Sequence, residues 1–226
     1  MTSAAPMTAA EYWDKYKPHR GEHPQQRPAA DRFDWTGVPD DAGPGAELLG
    51  RPKTALDLGP AEGENAARLA RMGVEVTAVD FSPVQVERAR GFWADLPNLT
   101  FVHAEVCAYL DREPREFDAV YSTWGAVWFT DPDDLFPRVR RSLAPGGVFG
   151  FSHRELATGH YGAQPMSGKW LEGRESELTV YRRQYSAQQW ADILKRYGFT
   201  NIAARVLPHP APAALGTLLV TAQTAC

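Results

Sequence analysis

The sequence predicts an α/β fold: one seven-stranded sheet, mostly parallel, with an antiparallel strand at its C-terminal end and helices on both faces. Three observations carry that expectation. Residues 54–80 read as strand, glycine-bearing turn, helix and strand, the crossover unit that sets two parallel strands side by side. Apolar runs of strand length then alternate with stretches of helical period as far as residue 152. Residues 199–207 and 215–223 are two further apolar runs joined through the proline-rich turn 208–212, which suits an antiparallel closing pair.

The N-terminal 44 residues stand apart. Thr8 is placed to cap a helix over 9–17, which brings Tyr12, Trp13 and Tyr16 onto one face. Residues 22–44 are proline-rich and show little periodicity apart from Phe33 and Trp35. We read 1–44 as a helix followed by an irregular wrap that acts as a lid, and 45–226 as the main domain.

Within that domain a short helical turn over 45–49 precedes the first strand, 54–58. The helix over 64–72 places Ala66, Ala67, Leu69 and Ala70 on one face, and Gly73 stops it. The second strand, 75–79, is followed directly by Asp80. Ser82 caps and Pro83 opens the next helix, which runs to Trp93. Residues 99–102 form a third strand and 117–122 a fourth, and the apolar stretch 126–129 follows the latter. Asp131-Pro132 opens a helix that Ala144-Pro145-Gly146-Gly147 ends before a fifth strand at 148–152. Residues 153–185 read as a long insert with glycines at 159, 162, 168 and 173. Its aromatic content argues for an ordered, functional loop. Ser186 then caps a helix over 187–197, and Gly198 ends it.

Length and composition narrow the function. A chain of 226 residues accommodates one α/β domain with additions. Its net charge is −4, and the densest basic group, Arg138, Arg140 and Arg141, has the spacing of a solvated helix face, so nucleic acid is not the expected partner. Two cysteines make no disulfide framework, and no Cys/His spacing suggests a metal. No apolar run reaches membrane-spanning length and no signal peptide is recognisable, so a cytoplasmic protein with no membrane partner is expected.

The chemistry concentrates in the first turn, Asp57-Leu58-Gly59-Pro60-Ala61-Glu62-Gly63. Gly59 and Gly63 let the backbone turn tightly and approach a ligand closely. Asp80 ends the second strand, where a carboxylate accepts both hydroxyls of a ribose. A nicotinamide dinucleotide is disfavoured, since Asn65 and Ala66 occupy the place of the third glycine and the chain has no Tyr-x-x-x-Lys pair.

These residues resemble the class I S-adenosylmethionine-dependent methyltransferases, which carry an acidic residue followed by three glycines at alternate positions. Here Pro60-Ala61-Glu62 replaces the central glycine region. The helix, the Pro-Gly-Gly turn and the strand that follows it match a second signature of the family. The resemblance covers about residues 45–223 and implies a Rossmann-like sheet, S-adenosyl-L-methionine as cofactor and S-adenosyl-L-homocysteine as product. It implies a small-molecule acceptor methylated on oxygen, nitrogen or carbon, and leaves a homodimer open. Around the cofactor it implies Asp57, Gly59, Pro60, Ala61 and Gly63 from the first turn, and Asp80, Phe81 and Ser82 after the second strand. Glu105 and Val106 would flank adenine, with Ser122, Trp124 and the lid residue Tyr16 completing the set. Trp13, Trp128, Tyr161 and Trp170 are the expected acceptor contacts.

His153, at the end of the fifth strand, is the candidate general base, and His160 the residue that orients the acceptor. An adenosylmethionine-binding protein without transferase activity and an NAD(P)-dependent oxidoreductase are the alternatives.

Overall fold

The computed structural model describes residues 13–14, 26–38, 43–156, 159–167 and 179–225. Its strands are β1 (Thr54–Leu58), β2 (Glu75–Asp80), β3 (Leu99–His103), β4 (Phe117–Thr123), β5 (Leu143–Arg154), β6 (Gly162–Ser167), β7 (Thr179–Gln184), β8 (Thr200–Leu207) and β9 (Thr217–Gln223). Seven of them form one sheet in the order β3-β2-β1-β4-β5-β9-β8. The first five run parallel, and β9 is antiparallel to both β5 and β8. The fold class expected from sequence is the one observed.

Helices cover both faces, so the central strands are buried along nearly their whole length. Alternation within each strand sorts its side chains into two cores. Leu56, Leu58 and Val120 join one core, with Val106 and Leu110 of α3 (Val106–Leu110), Leu135, Phe136 and Val139 of α5 (Pro132–Ser142), and Trp190 and Leu194 of α6 (Ala187–Arg196). Ala55, Ala119 and Tyr121 join the other, with the alanines of α1 (Glu64–Arg71) and Val86 and Ala89 of α2 (Pro83–Phe92).

The chain before β1 completes that second core. Trp35 is fully buried, its indole N–H donating to Gly45 O at 2.9 Å, and Phe33 packs edge-on to Tyr121 at 5.2 Å. A Cβ on Gly150 would come within 2.9 Å of the Trp35 ring, so the indole uses space that this strand position leaves free.

Local capping follows the residues. Ser82 Oγ accepts from Gln85 N, Asp131 accepts from Asp133 N, and Ser186 and Gln189 form a reciprocal capping box. Two short helices, α3 and α4 (Ala126–Phe129), lie where the sequence shows too few turns to display a period.

The insert, expected as an ordered loop, contains regular strands. Within it β6 and β7 form a separate antiparallel ladder, from Gly162 opposite Gln184 to Ser167 opposite Thr179. A two-stranded ribbon with Pro165 in one strand and exposed Tyr181 in the other carries little of the apolar alternation that marks a half-buried strand. The helix expected over 9–17 lies outside the described residues except for Trp13 and Asp14, which are helical.

Candidate active site

The order of strands reverses between β1 and β4, because the chain leaves β1 towards β2 and β3, then returns across to β4. Side chains and loops diverge at such a switch point and leave a crevice outside the carboxyl ends of the strands. Two short connections frame it. Gly59 N donates to Val79 O at 2.9 Å, and Gly63 N to Pro60 O at 2.9 Å, closing the first turn against β2. Ser122 Oγ donates to Leu58 O at 2.7 Å and accepts from Val127 N at 3.3 Å, tying the loop after β4 to the end of β1.

Both motif glycines sit at φ +79, in the left-handed region. Their surroundings differ from the ligand approach expected. A Cβ on Gly59 would stand 2.5 Å from Ala126 N, and one on Gly63 would stand 2.6 Å from the Phe101 ring. Packing of the protein on itself therefore demands both residues.

Asp80 is 7% exposed. Its Oδ2 accepts from Ala61 N at 3.1 Å and its Oδ1 from Ser82 N at 2.9 Å. Burial raises its proton affinity above the usual carboxylate value, and the Ser82 and Ala61 N–H groups partly offset this. A carboxylate offers about four acceptor sites, so two bound N–H groups leave capacity for further donors.

A cavity of about 1590 Å³ opens above these strand ends. Gly59, Pro60, Ala61, Asp80 and Phe81 line it, as do Glu105, Val106 and Trp124. Glu105 is also the N-cap of α3, accepting from Cys107 N at 2.9 Å and Ala108 N at 2.8 Å. Asp57, Gly63, Ser82 and Ser122 stand behind the wall rather than on it. Burial pushes the Asp57 carboxyl up to about 8, against the opposing effect of the Tyr121 hydroxyl. Asp57 Oδ1 has no hydrogen-bond partner among the described residues.

Of the expected acceptor contacts, Trp13 and Trp128 line the cavity. Trp13 packs on Phe129 at 4.7 Å, and its carbonyl accepts from Gln85 Nε2 at 3.1 Å. Tyr161 is half exposed and off the wall, and Tyr16 and Trp170 lie outside the described residues.

Neither histidine expected to act on the acceptor lies on the cavity wall. His153 stands at the end of β5 as expected, but its ring is fully buried, stacked 5.3 Å from Trp128 and packed against Trp190. Its Nδ1 lies 2.8 Å from Arg154 O, which can only accept, so Nδ1 carries the proton and Nε2 is the bare nitrogen. Burial, and behind it the Arg182 charge, lower its pKa to about 4. An imidazole so weakly basic and off the cavity wall is not poised to take a proton from an acceptor. His160 is exposed in the segment just before β6, also off the cavity wall.

Other wall residues went unpredicted. Arg154, Arg182 and Arg183 line the cavity with His209 and Thr217, and Thr36 and Val38 of the N-terminal segment close another side. The adjacent Arg182-Arg183 pair was the one visible trace in the sequence. Nothing local links it to Arg154 or to the strand ends.

Known proteins resemble this chain as follows. The family described as "Methyltransferase domain" matches residues 55–147. The trans-aconitate 2-methyltransferase of Methylobacterium radiotolerans is 38% identical over 113 residues, 46% of this chain and 41% of that protein. The Yersinia pestis protein of the same name is 24% identical over 175 residues, 72% of this chain and 64% of its own length. The chain thus spans less than two thirds of these curated relatives. Among solved structures, the Burkholderia thailandensis 1,6-didemethyltoxoflavin-N1-methyltransferase, crystallised with 1,6-didemethyltoxoflavin and S-adenosylhomocysteine, superposes with a TM-score of 0.60 at 23% identity. That match covers 80% of this chain and 75% of that one. At such identity the likeness establishes the fold.

Proposed function

We propose, from the premise that the chain belongs to the class I S-adenosylmethionine-dependent methyltransferases, that it transfers the methyl group of S-adenosylmethionine to a nucleophilic atom of a small molecule. One observation carries the reading: Asp80, with acceptor capacity to spare, lines a large cavity at the switch point beside the Gly59 turn. That donor set fits the cofactor. A carboxylate at the end of β2 suits two ribose hydroxyls, and a turn without a phosphate cradle suits a linkage between ribose and methionine that carries no phosphate.

When bound, the cofactor supplies a methyl group on a sulfonium, an electrophile that needs no activation. The protein's part is then positioning and exclusion of water, which supplies several kcal/mol of the barrier reduction. Asp80 takes the ribose, and Glu105 and Val106 flank the adenine. The Trp124 carbonyl takes the amino group. Trp124 is held for this at φ +53, with its N–H on Ser152 O at 2.7 Å and its indole N–H on Trp35 O at 3.1 Å.

The N-terminal segment acts as the lid. Trp13 on the cavity wall, the Gln85 bond to its carbonyl and the Ser82 hydroxyl on Asp14 support that role beside Asp80. The acceptor is a small molecule, and trans-aconitate, which the names of the two trans-aconitate 2-methyltransferase relatives carry, is the first to try. Calorimetry with adenosylhomocysteine and with NADPH tests the cofactor, and adenosylhomocysteine release over an acceptor panel tests transfer. Saturable binding of NADPH without binding of adenosylhomocysteine would overturn the reading.

A further inference from the structure

The wall of the cavity farthest along the sheet from Asp80 holds cations that the cofactor does not need. The strand order puts β1 and β4 between β2 and β5, so their ends lie about 14 Å apart at about 4.8 Å per strand. Arg154 closes β5, and Arg182 and Arg183 come from β7. All three line the cavity, and the Nε of each is buried without a hydrogen-bond partner among the described residues.

Their charges are not equally committed. Arg183 pairs with Asp131 at 2.9 Å. Arg154 and Arg182 have no carboxylate partner among the described residues. Burial and the neighbouring Arg154 charge together hold the Arg182 guanidinium below its usual proton affinity, as two like charges near each other on one wall require. The Trp128 ring, 5.6 Å from the Arg182 guanidinium, offsets part of this cost. The other acids on the wall do not pair with these arginines: Asp80 stands at the β2 end on two backbone N–H groups, Glu105 caps α3, and Asp134 is an exposed first-turn residue of α5.

We propose that the acceptor carries a carboxylate held by Arg154 and Arg182 at the β5 end of the cavity, a reading that rests on the methyltransferase function above. A guanidinium presents parallel N–H groups that match a carboxylate, and two of them without a counter-charge leave a site that an anion completes. The burial of His153 agrees with this. A carboxylate is already ionised at neutral pH, so the class of acceptor that suits these arginines also asks for no base to expose its charge.

The test is calorimetry on the full chain saturated with adenosylhomocysteine. The probes are trans-aconitate, citrate and benzoate, the trimethyl ester of trans-aconitate, and glycerol phosphate. At least one acid binds saturably, its neutral ester does not, and Arg154→Gln and Arg182→Gln each weaken the acid by about 10- to 100-fold while adenosylhomocysteine affinity holds. Arg154→Gln carries the comparison alone should Arg182→Gln fail to fold. An ester bound as tightly as its acid, a preference for glycerol phosphate, arginine variants that bind the acid like the wild type, or no acid bound at all would each overturn the proposal. Failure of the wild type to bind adenosylhomocysteine would strike the methyltransferase reading instead, so the two failures are separable.

Discussion

The two halves of the cavity are built by different means. At the β1–β2 end, Gly59, Pro60, Ala61, Asp80 and Phe81 come from one crossover unit, and backbone hydrogen bonds from Ala61 and Ser82 set the Asp80 carboxylate. At the β5 end, the wall combines Arg154, Arg182, His209 and Thr217 with Thr36 of the N-terminal segment, residues brought together only by long-range packing. On the proposed reading, a cofactor common to many enzymes is met by a compact local unit, and the acceptor by side chains on separable segments, which can change without disturbing the turn.

The sharpest break of that comparison is Asp80→Ala. Losing a charged acceptor should cost about 1.5–3 kcal/mol, roughly 10- to 100-fold in adenosylhomocysteine affinity by calorimetry. Unchanged affinity would mean that the β2 end does not hold the ribose.

Next in size is a matched glycine pair. Gly59→Ala places a Cβ 2.5 Å from Ala126 N at φ +79, whereas Gly162, at φ +77, has nothing within 4 Å. The first should lose about 1–3 kcal/mol beyond the left-handed penalty of about 1–2 kcal/mol that both share. Denaturant melts giving equal losses would show that the first turn is no more tightly packed than the insert.

A third prediction concerns pH. Folded His153 stays neutral down to about pH 4, while an unfolded histidine titrates near 6.5. Between those values the unfolded chain binds more protons, so this residue's contribution is lost as pH falls from 6.5 towards 4. His153→Phe should therefore flatten the fall in melting temperature across that window. In His153→Gln, kcat should escape the 10²–10⁴-fold loss that removal of a general base produces. A loss of that size, with the acidic limb of the pH profile abolished, would restore His153 as the base.

The smallest expected effect is at the lid. Hydrogen exchange in peptides spanning Trp13 and Asp14 should slow when adenosylhomocysteine is added, because Trp13 lines the cavity and Gln85 holds its carbonyl. Equal exchange with and without ligand would make this segment a docked arm rather than a lid.

Much of this architecture was legible in the chain itself. The runs that became β1, β2, β3 and β4, the caps at Ser82, Asp131 and Ser186, and the acidic end of β2 are all written within a few consecutive residues. Capping, periodicity and turn chemistry act over that range, so sequence by itself determined the parallel sheet and placed Asp80 at its mouth. Tertiary structure decided what lies farther apart in the chain. The β6–β7 ladder has too little burial to show a period, and the arginine wall joins the end of β5 to a strand of the insert. His153 was correctly placed at a strand end, yet Trp128 and Trp190, which strip its ring of water, come from α4 and α6. Proton affinity depends on which groups surround a side chain in space, and neighbours contributed by distant segments leave no mark on the residues beside it.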